Sequence, residues 1–166
     1  PETWNKFAPY NPADFGISGE RTEDVLWRIT NGELDGIDPK AVVIMIGTNN
    51  IGHFTDEKPE WVATGVKAIV ATVRSKLPKA KILLLGVFPR GSTAMDEKRQ
   101  KVTAINAIIK DLHDGKMVTY LDLTNKFVDD KGDMLKDLMP DLLHPNDKGY
   151  VVWYEAIWPT LELLLK

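Results

Sequence analysis

Cysteine, a surplus of basic residues and long apolar runs are all missing from this chain of 166 residues. Without cysteine there is no disulfide bond, no thiolate nucleophile and no cysteine-ligated zinc. The 21 lysines and arginines are outnumbered by 24 aspartates and glutamates, which argues against nucleic acid as a partner because phosphate binding needs a concentrated basic face. No window approaches about 18 uninterrupted apolar residues, so we expect no membrane span.

The length predicts a single domain over residues 1–166, because a chain of this size leaves little room for a second one. The first residue is Pro1 and not Met, so a natural N-terminus further upstream, with or without a signal peptide, stays open. The absence of cysteine does not decide between a secreted, periplasmic or cytoplasmic location, since proteins in any of these compartments can lack it.

Three apolar runs predict buried β-strands. Residues 41–46 (AVVIMI) form a continuous run that ends at Gly47, residues 81–88 (KILLLGVF) repeat the pattern up to Pro89, and residues 117–123 (MVTYLDL) form a weaker third run. Runs that are apolar on both faces are typical of parallel strands covered by helices on each side.

Helical patterns lie between and around these runs, over residues 22–31, 61–77, 102–112 and 150–164. Thr22 or Ser18 is predicted to cap the first helix, Trp61 is expected in the core, and Pro159 should kink or interrupt the last helix. Strands that alternate with helices in this way predict an α/β domain with a parallel sheet and right-handed crossovers.

The loops that follow the strands are the first places to look for function, because open parallel sheets bind ligands beyond the carboxyl ends of their strands. Asp141 and His144 are one candidate pair. A carboxylate three residues before a histidine can accept its Nδ1 proton, which leaves Nε2 to take a proton from a nucleophile. The alternative is a polar turn in which Asn146 or Asp147 caps the last helix.

Two further segments combine glycine with amide or hydroxyl groups. Residues 47–50 (GTNN) let the backbone approach a ligand and offer amides to a developing oxyanion, unless they form an ordinary turn. Residues 16–20 (GISGE) expose backbone N–H groups near a helix start, or only cap that helix. Ser18 does not fit the G-x-S-x-G nucleophile elbow, because Gly19 follows it directly.

The order of Gly19, residues 47–50 and the Asp141-x-x-His144 pair resembles the SGNH/GDSL hydrolase superfamily. Residues 25–28 with 31–34, and residues 88–91 (FPRG), resemble the branch that contains the platelet-activating-factor acetylhydrolase catalytic subunits and related bacterial esterases. The resemblance covers nearly the whole chain. It implies a three-layer αβα fold with a flavodoxin-like parallel sheet, and ester hydrolysis by a serine nucleophile without metal or cofactor.

The resemblance also implies roles for individual residues. His144 would be the general base and Asp141 its orienting partner, while the Gly19 backbone N–H and the Asn49 side chain would bind the oxyanion. The candidate substrate contacts are Ser18, Asn50 and Arg90.

The family's nucleophile is the one part of this pattern that the chain lacks. In the family it lies in a Gly-Asp-Ser motif at the end of the first strand, and none of the three serines, at positions 18, 75 and 92, follows Gly-Asp. We therefore expect a domain that is incomplete at its N-terminus and a sheet without its first strand. Residues 13–16 and 41–46 would then cross a gap or pair directly, since unpaired buried backbone groups cost about 1–3 kcal/mol each.

The function we favour is that of a serine esterase for short acyl groups, acetyl above all, on an alcohol such as a carbohydrate or a lipid. The alternative is a non-catalytic binding or assembly module that keeps the fold without the nucleophile. A mononucleotide-binding or response-regulator domain lacks support, because no phosphate-binding glycine loop or acidic cluster follows a strand. As partners, a complementing N-terminal segment and a second copy of the chain stay open.

Overall fold

Three short parallel strands form the sheet of the computed structural model, which describes residues 2–54 and 56–166. The strands β1 (Ala41–Ile44), β2 (Lys81–Leu85) and β3 (Val118–Leu121) lie side by side in that order. All three predicted strands are confirmed, although each ends two or three residues before its apolar run does. Those last residues leave the sheet to form loops at its carboxyl edge.

Six helices accompany the sheet in the described residues. They are α1 (Thr22–Thr30), α2 (Thr48–His53), α3 (Pro59–Lys76), α4 (Glu97–Ile109), α5 (Thr124–Phe127) and α6 (Asp147–Leu164), with 3₁₀ helices at Glu2–Tyr10 and Lys110–Leu112. Residues of α1, α3 and α4 pack with Ile82 and Leu84, whereas residues of α5, α6 and the first 3₁₀ helix pack with Leu83 and Leu85. The alternation along β2 therefore separates two helical layers, which confirms the three-layer αβα prediction.

The start of α1 differs from the prediction, because neither Ser18 nor Thr22 caps it. Thr22 is the first helical residue, and Ser18 lies four residues upstream in an exposed turn. The Asp24 carboxylate instead accepts the backbone N–H of Arg21 at 2.9 Å. A carboxylate in the first turn satisfies a free donor and also complements the positive end of the helix.

The last helix is not interrupted at Pro159, and the prediction that Trp61 lies in the core is wrong. The helix α6 continues through Pro159 to Leu164, and buried Ile157 and Leu161 on either side of the proline hold it against the sheet. Trp61 is 55% exposed, because the buried face of α3 includes the next residues, Val62 and Ala63, and not Trp61. The Lys58 ammonium lies over its exposed ring at 5.1 Å. Tertiary packing keeps α6 helical through the proline, whereas the direction of its side chain leaves Trp61 in solvent.

The outer edge of β1 pairs with no other strand among the residues that the structure describes. Val43 is 38% exposed, whereas Leu83, its register partner on β2 and hence on the same face, is completely buried. One alternative expected residues 13–16 to pair with this edge. They form an exposed loop instead. The Arg28 side chain holds that loop by donating to the carbonyl of Phe15 at 2.8 Å.

Within the same described part of the chain, no helix combines the length and the apolar character needed to cross a membrane.

Candidate active site

Asp141 and His144 form a tight hydrogen-bonded pair before α6. The His144 Nδ1 lies 2.6 Å from Asp141 Oδ2, and Asp141 Oδ1 accepts the backbone N–H groups of His144 at 2.7 Å and Leu143 at 3.0 Å. Leu142 has a φ of 64°, which closes the turn and brings the carboxylate under the imidazole. With Nδ1 donating to the carboxylate, Nε2 is left as a proton acceptor.

The same contacts keep Asp141 ionised. The backbone N–H of His144, together with the imidazole of His144 and the backbone N–H of Leu143, lowers the pKa of Asp141 from 3.8 to about 2. Both side chains of the pair remain open to solvent, at 73% exposure for His144 and 56% for Asp141. At neutral pH the pair thus consists of an ionised carboxylate and a solvent-accessible imidazole.

An Asp141→Asn variant is expected to lose stability at neutral pH but not in acid. Because the folded pKa lies below the ordinary value of 3.8, the ionised carboxyl stabilises the fold above about pH 4, and this contribution disappears as the pH falls through about 2. Solvent screening keeps the effect small. Urea unfolding of both proteins at about pH 7, 5 and 3 measures it, and a difference between them that does not shrink with acidity contradicts the pKa shift.

The loop after β1 leads directly into α2. Gly47 has a φ of 125°, and a Cβ on it would lie 2.8 Å from Val62 Cγ1, so both its conformation and its packing require glycine. The next residues begin α2, which replaces the ordinary turn that the composition allowed. Asn49 donates from Nδ2 to the carbonyl of Glu20 at 2.9 Å. This contact brings the amide beside the loop that contains Gly19.

Gly19 lies in an exposed turn, one residue before Glu20, whose carbonyl accepts from Asn49. Its φ is 84°, and nothing lies within 4 Å of where a Cβ would be. The backbone on this side of the turn is therefore open to an approaching ligand. Because an amide has two N–H groups and Glu20 accepts only from one of them, Asn49 retains a second donor for the same region.

Arg90 connects the loops that follow β1 and β2. Its Nη1 donates to the carbonyl of Thr48 at 2.9 Å and to the Thr48 hydroxyl at 3.2 Å, and partial burial lowers the pKa of its guanidinium. Gly91 then donates its backbone N–H to the carbonyl of Leu142 at 3.2 Å. A continuous series of hydrogen bonds therefore joins the Glu20 loop to the Asp141–His144 turn.

A cavity of about 410 Å³ opens beside this series of contacts. It is lined by Arg90, Gly91, Asp96, Glu97, Lys98, Asp141, Leu142 and Leu143. The Asp141 turn forms one wall and the start of α4 the other, so a small ligand in this cavity would lie against the loop that carries the histidine. Within residues 2–54 and 56–166, no three His, Asp or Glu side chains are grouped to hold a metal ion.

Asn50 has a structural role that differs from the predicted substrate contact. Its side chain is 3% exposed, its Oδ1 accepts the Thr22 backbone N–H at 3.0 Å, and its Nδ2 donates to Glu23 Oε2 at 3.1 Å. These bonds attach the start of α1 to α2 and so fix the segment that follows Gly19. Ser18, the other candidate contact in this region, is exposed in its turn.

Two buried polar residues of α4 were missed by the sequence analysis. Arg99 is 4% exposed and Asn106 is 5% exposed, and both hydrogen-bond to backbone of the loop after β2. They are seven residues apart, on the apolar stripe that includes Val102. Polar residues at buried positions of an amphipathic stripe are the signal that could have identified them.

Polar groups at the carboxyl edge of a parallel αβα sheet are the arrangement by which α/β enzymes bind small substrates. The chain belongs to the GDSL-like lipase/acylhydrolase family, whose profile matches residues 2–152. This places it among the carboxylic ester hydrolases of the SGNH/GDSL type and confirms the resemblance drawn from Gly19, residues 47–50 and the Asp141–His144 pair.

Individual relatives agree with the family. The chain is 37% identical over 166 residues to platelet-activating factor acetylhydrolase IB subunit alpha1 of Bos taurus, covering 99% of this chain and 69% of the relative. It is 39% identical over 151 residues to subunit alpha2 of Rattus norvegicus, covering 90% of this chain and 64% of the relative. The chain thus spans about two thirds of the length of these curated relatives.

Among solved structures, a GDSL-like lipase from Bacteroides thetaiotaomicron superposes with a TM-score of 0.81, covering 97% of this chain and 80% of that one. At 21% sequence identity this likeness concerns the fold alone. It agrees with the three-layer arrangement of helices around a parallel sheet.

Proposed function

We propose that this chain carries the base and oxyanion-binding half of a serine esterase that hydrolyses short-chain acyl esters. The observation that carries the proposal is the 2.6 Å contact between His144 Nδ1 and Asp141 Oδ2, which orients the imidazole. A serine hydroxyl attacks the ester carbonyl while His144 Nε2 removes its proton, and the Asp141 carboxylate stabilises the imidazolium. The serine oxygen thereby bonds to the carbonyl carbon, whose own oxygen becomes the oxyanion.

The oxyanion is bound by the Gly19 backbone N–H, the Asn49 amide and the N–H of the nucleophilic serine. The tetrahedral intermediate then breaks its bond to the alcohol, which leaves with the proton held by His144. Water attacks the remaining acyl-enzyme by the same route, giving its proton to His144 and releasing the acid. The serine recovers its proton from the imidazolium, so the cycle needs no further reactant.

We infer that the nucleophile comes from outside these 166 residues. Ser18 lies in the exposed turn before Gly19, Ser75 lies in the last turns of α3, and Ser92 lies in the loop after β2 with its carbonyl bound to the Met134 N–H at 2.9 Å. None of them lies directly at the end of a strand, since even Ser92 comes several residues after the end of β2. A serine at the carboxyl end of an added strand would arrive beside Asn49 if that strand paired with the outer edge of β1.

The exposure of Val43 on that edge supports the inference. A parallel strand laid beside β1 would cover this valine and would satisfy the backbone groups that β2 leaves unpaired. The chain spans about two thirds of the length of the relatives, so these relatives contain further residues outside the matched part. The relatives' names favour an acetyl group as the acyl part. In the proposed substrate a lipid or a carbohydrate hydroxyl carries this acetyl group.

A fluorophosphonate probe tests the proposal, because it reacts covalently with activated serines. We expect no labelling of the 166-residue chain, and labelling of a longer protein that adds the proposed strand, at the serine that follows this strand. Labelling of the short chain at Ser18 would contradict the external nucleophile. The matched control is the longer protein with His144→Gln, which should fold but should not be labelled.

The alternative is a binding or assembly module without catalysis. Within the described residues no serine lies directly at the end of a strand, which favours this alternative. It predicts that neither protein reacts with the probe, and that a hydrolysable acyl ester binds without being hydrolysed. A labelled longer protein excludes it.

A further inference from the structure

Arg99 is a buried cation whose hydrogen bonds go to backbone carbonyls and not to a carboxylate. Its Nε donates to the Arg90 carbonyl at 2.9 Å, its Nη2 to the Gly91 carbonyl at 2.8 Å and its Nη1 to the Gly132 carbonyl at 2.8 Å. Burial lowers the pKa of its guanidinium, while the charges of Asp96 and Asp133 raise it. A buried charge requires such partners, so these bonds hold the loops tightly.

Asn106 supports the same loop about two helical turns further along α4. Its Oδ1 accepts the Val87 backbone N–H at 2.8 Å, and its Nδ2 donates to the Val87 carbonyl at 3.0 Å. The amide therefore pairs with the backbone where β2 has already ended, in the way a neighbouring strand would. Together the two side chains hold both ends of the segment from Val87 to Gly91 against α4.

This segment is the one that contacts both halves of the candidate active site. Arg90 donates to Thr48 at the start of α2, and Gly91 donates to Leu142 inside the Asp141–His144 turn. Arg99 binds the backbone carbonyls of Arg90 and Gly91. The Arg90 side chain and the Gly91 N–H are the groups that contact the candidate active site. A shift of the segment would therefore move the histidine turn relative to Asn49.

We propose that Arg99 is a positioning residue, which fixes the distance between the Asp141–His144 pair and the Asn49 amide through the Arg90–Gly91 loop. Its catalytic meaning rests on the proposed function, but the positioning itself does not. The planar guanidinium is suited to this task, because its fork of donors reaches three carbonyls on two loops at once. A lysine ammonium in the same place would not reach all three.

Amide hydrogen exchange, followed by NMR below the unfolding transition, tests the proposal without any enzymatic activity. In Arg99→Met we expect the Gly91 and His144 amides to exchange about tenfold faster or more, and the low-field Nδ1 proton of His144 to broaden. The amides of Leu83 and Leu84 in β2 should change only with global stability. Arg99→Lys should give an intermediate effect.

The matched control is Arg74→Met. Arg74 also donates to backbone carbonyls, those of Pro78 and Ala80 at 3.2 and 3.1 Å, but before β2 and away from its carboxyl end. We expect it to leave the Gly91 and His144 signals as they are. If Arg99→Met folds and changes these signals no more than Arg74→Met does, the positioning role is excluded.

A measurement on the unsubstituted protein decides the case in which the Arg99 variants fail to fold. If Arg99 holds the turn, its Nε–H and the amides of Gly91 and His144 open together, and their exchange rates respond equally to low concentrations of urea. Gly91 and His144 amides that open while the Arg99 Nε–H stays protected would overturn the proposal. If a protein that also carries a serine at the end of an added strand shows this joint opening but no esterase activity, the proposed function alone is contradicted.

Discussion

Replacing His144 with glutamine is expected to lower the turnover of the enzyme that includes the nucleophilic serine by about 10⁴–10⁶-fold. Glutamine keeps a polar side chain that can still donate to Asp141, but its amide does not accept a proton at neutral pH. The serine would then attack without a general base, and the leaving alcohol would depart without a general acid. Single-turnover and steady-state rates with an acetyl ester measure the loss.

The chain contains a matched histidine for this experiment. His113 is exposed, and its Nδ1 accepts the Tyr120 backbone N–H at 3.2 Å on the far side of β3, so it too is a histidine with a partner on one nitrogen. His113→Gln should leave turnover unchanged. An enzyme with His144→Gln that retained more than about a tenth of the normal rate would show that another group acts as the base.

The strands were predictable because their physical signal is local. Each β2 residue from Ile82 to Leu85 is buried against one helical layer or the other, so the sequence is apolar without alternation. The strand ends were not predictable, since Val87 and Phe88 are as apolar as the strand but leave it. They do so because Asn106, nineteen residues away from Val87, takes over its backbone hydrogen bonds.

The site shows the same difference between local signals, which the sequence reveals, and contacts between residues far apart in the chain, which it does not. Asp141 and His144 contact each other within one turn, so their spacing alone suggested the pair. Arg99 donates to carbonyls eight to thirty-three residues away, and carbonyls have no sequence signature. Trp61 misled for another reason: it lies five residues before Val66, and the buried stripe passes through Val62, four residues before Val66, instead.

Removing the Asn49 amide is expected to lower turnover by about 10²–10³-fold, the loss typical of a single oxyanion donor. The bond from Nδ2 to the Glu20 carbonyl orients the amide in the resting protein. In the proposed mechanism the second N–H then donates to the substrate oxygen as charge develops on it. Such a donor stabilises the transition state more than the bound ester. We therefore expect Asn49→Ala to lower kcat and kcat/KM equally, with little change in KM.

Asn31→Ala is the matched control for loss of an amide. The Asn31 side chain also donates to a backbone carbonyl, that of Trp27 at 2.7 Å, but it does so at the C-terminal end of α1. Its removal should leave both constants unchanged. Asn49→Asp should be at least as impaired as Asn49→Ala, because a carboxylate would replace the donor and repel the oxyanion. If Asn49→Ala raised KM and spared kcat, the amide would bind the ester in its ground state and the oxyanion assignment would be wrong.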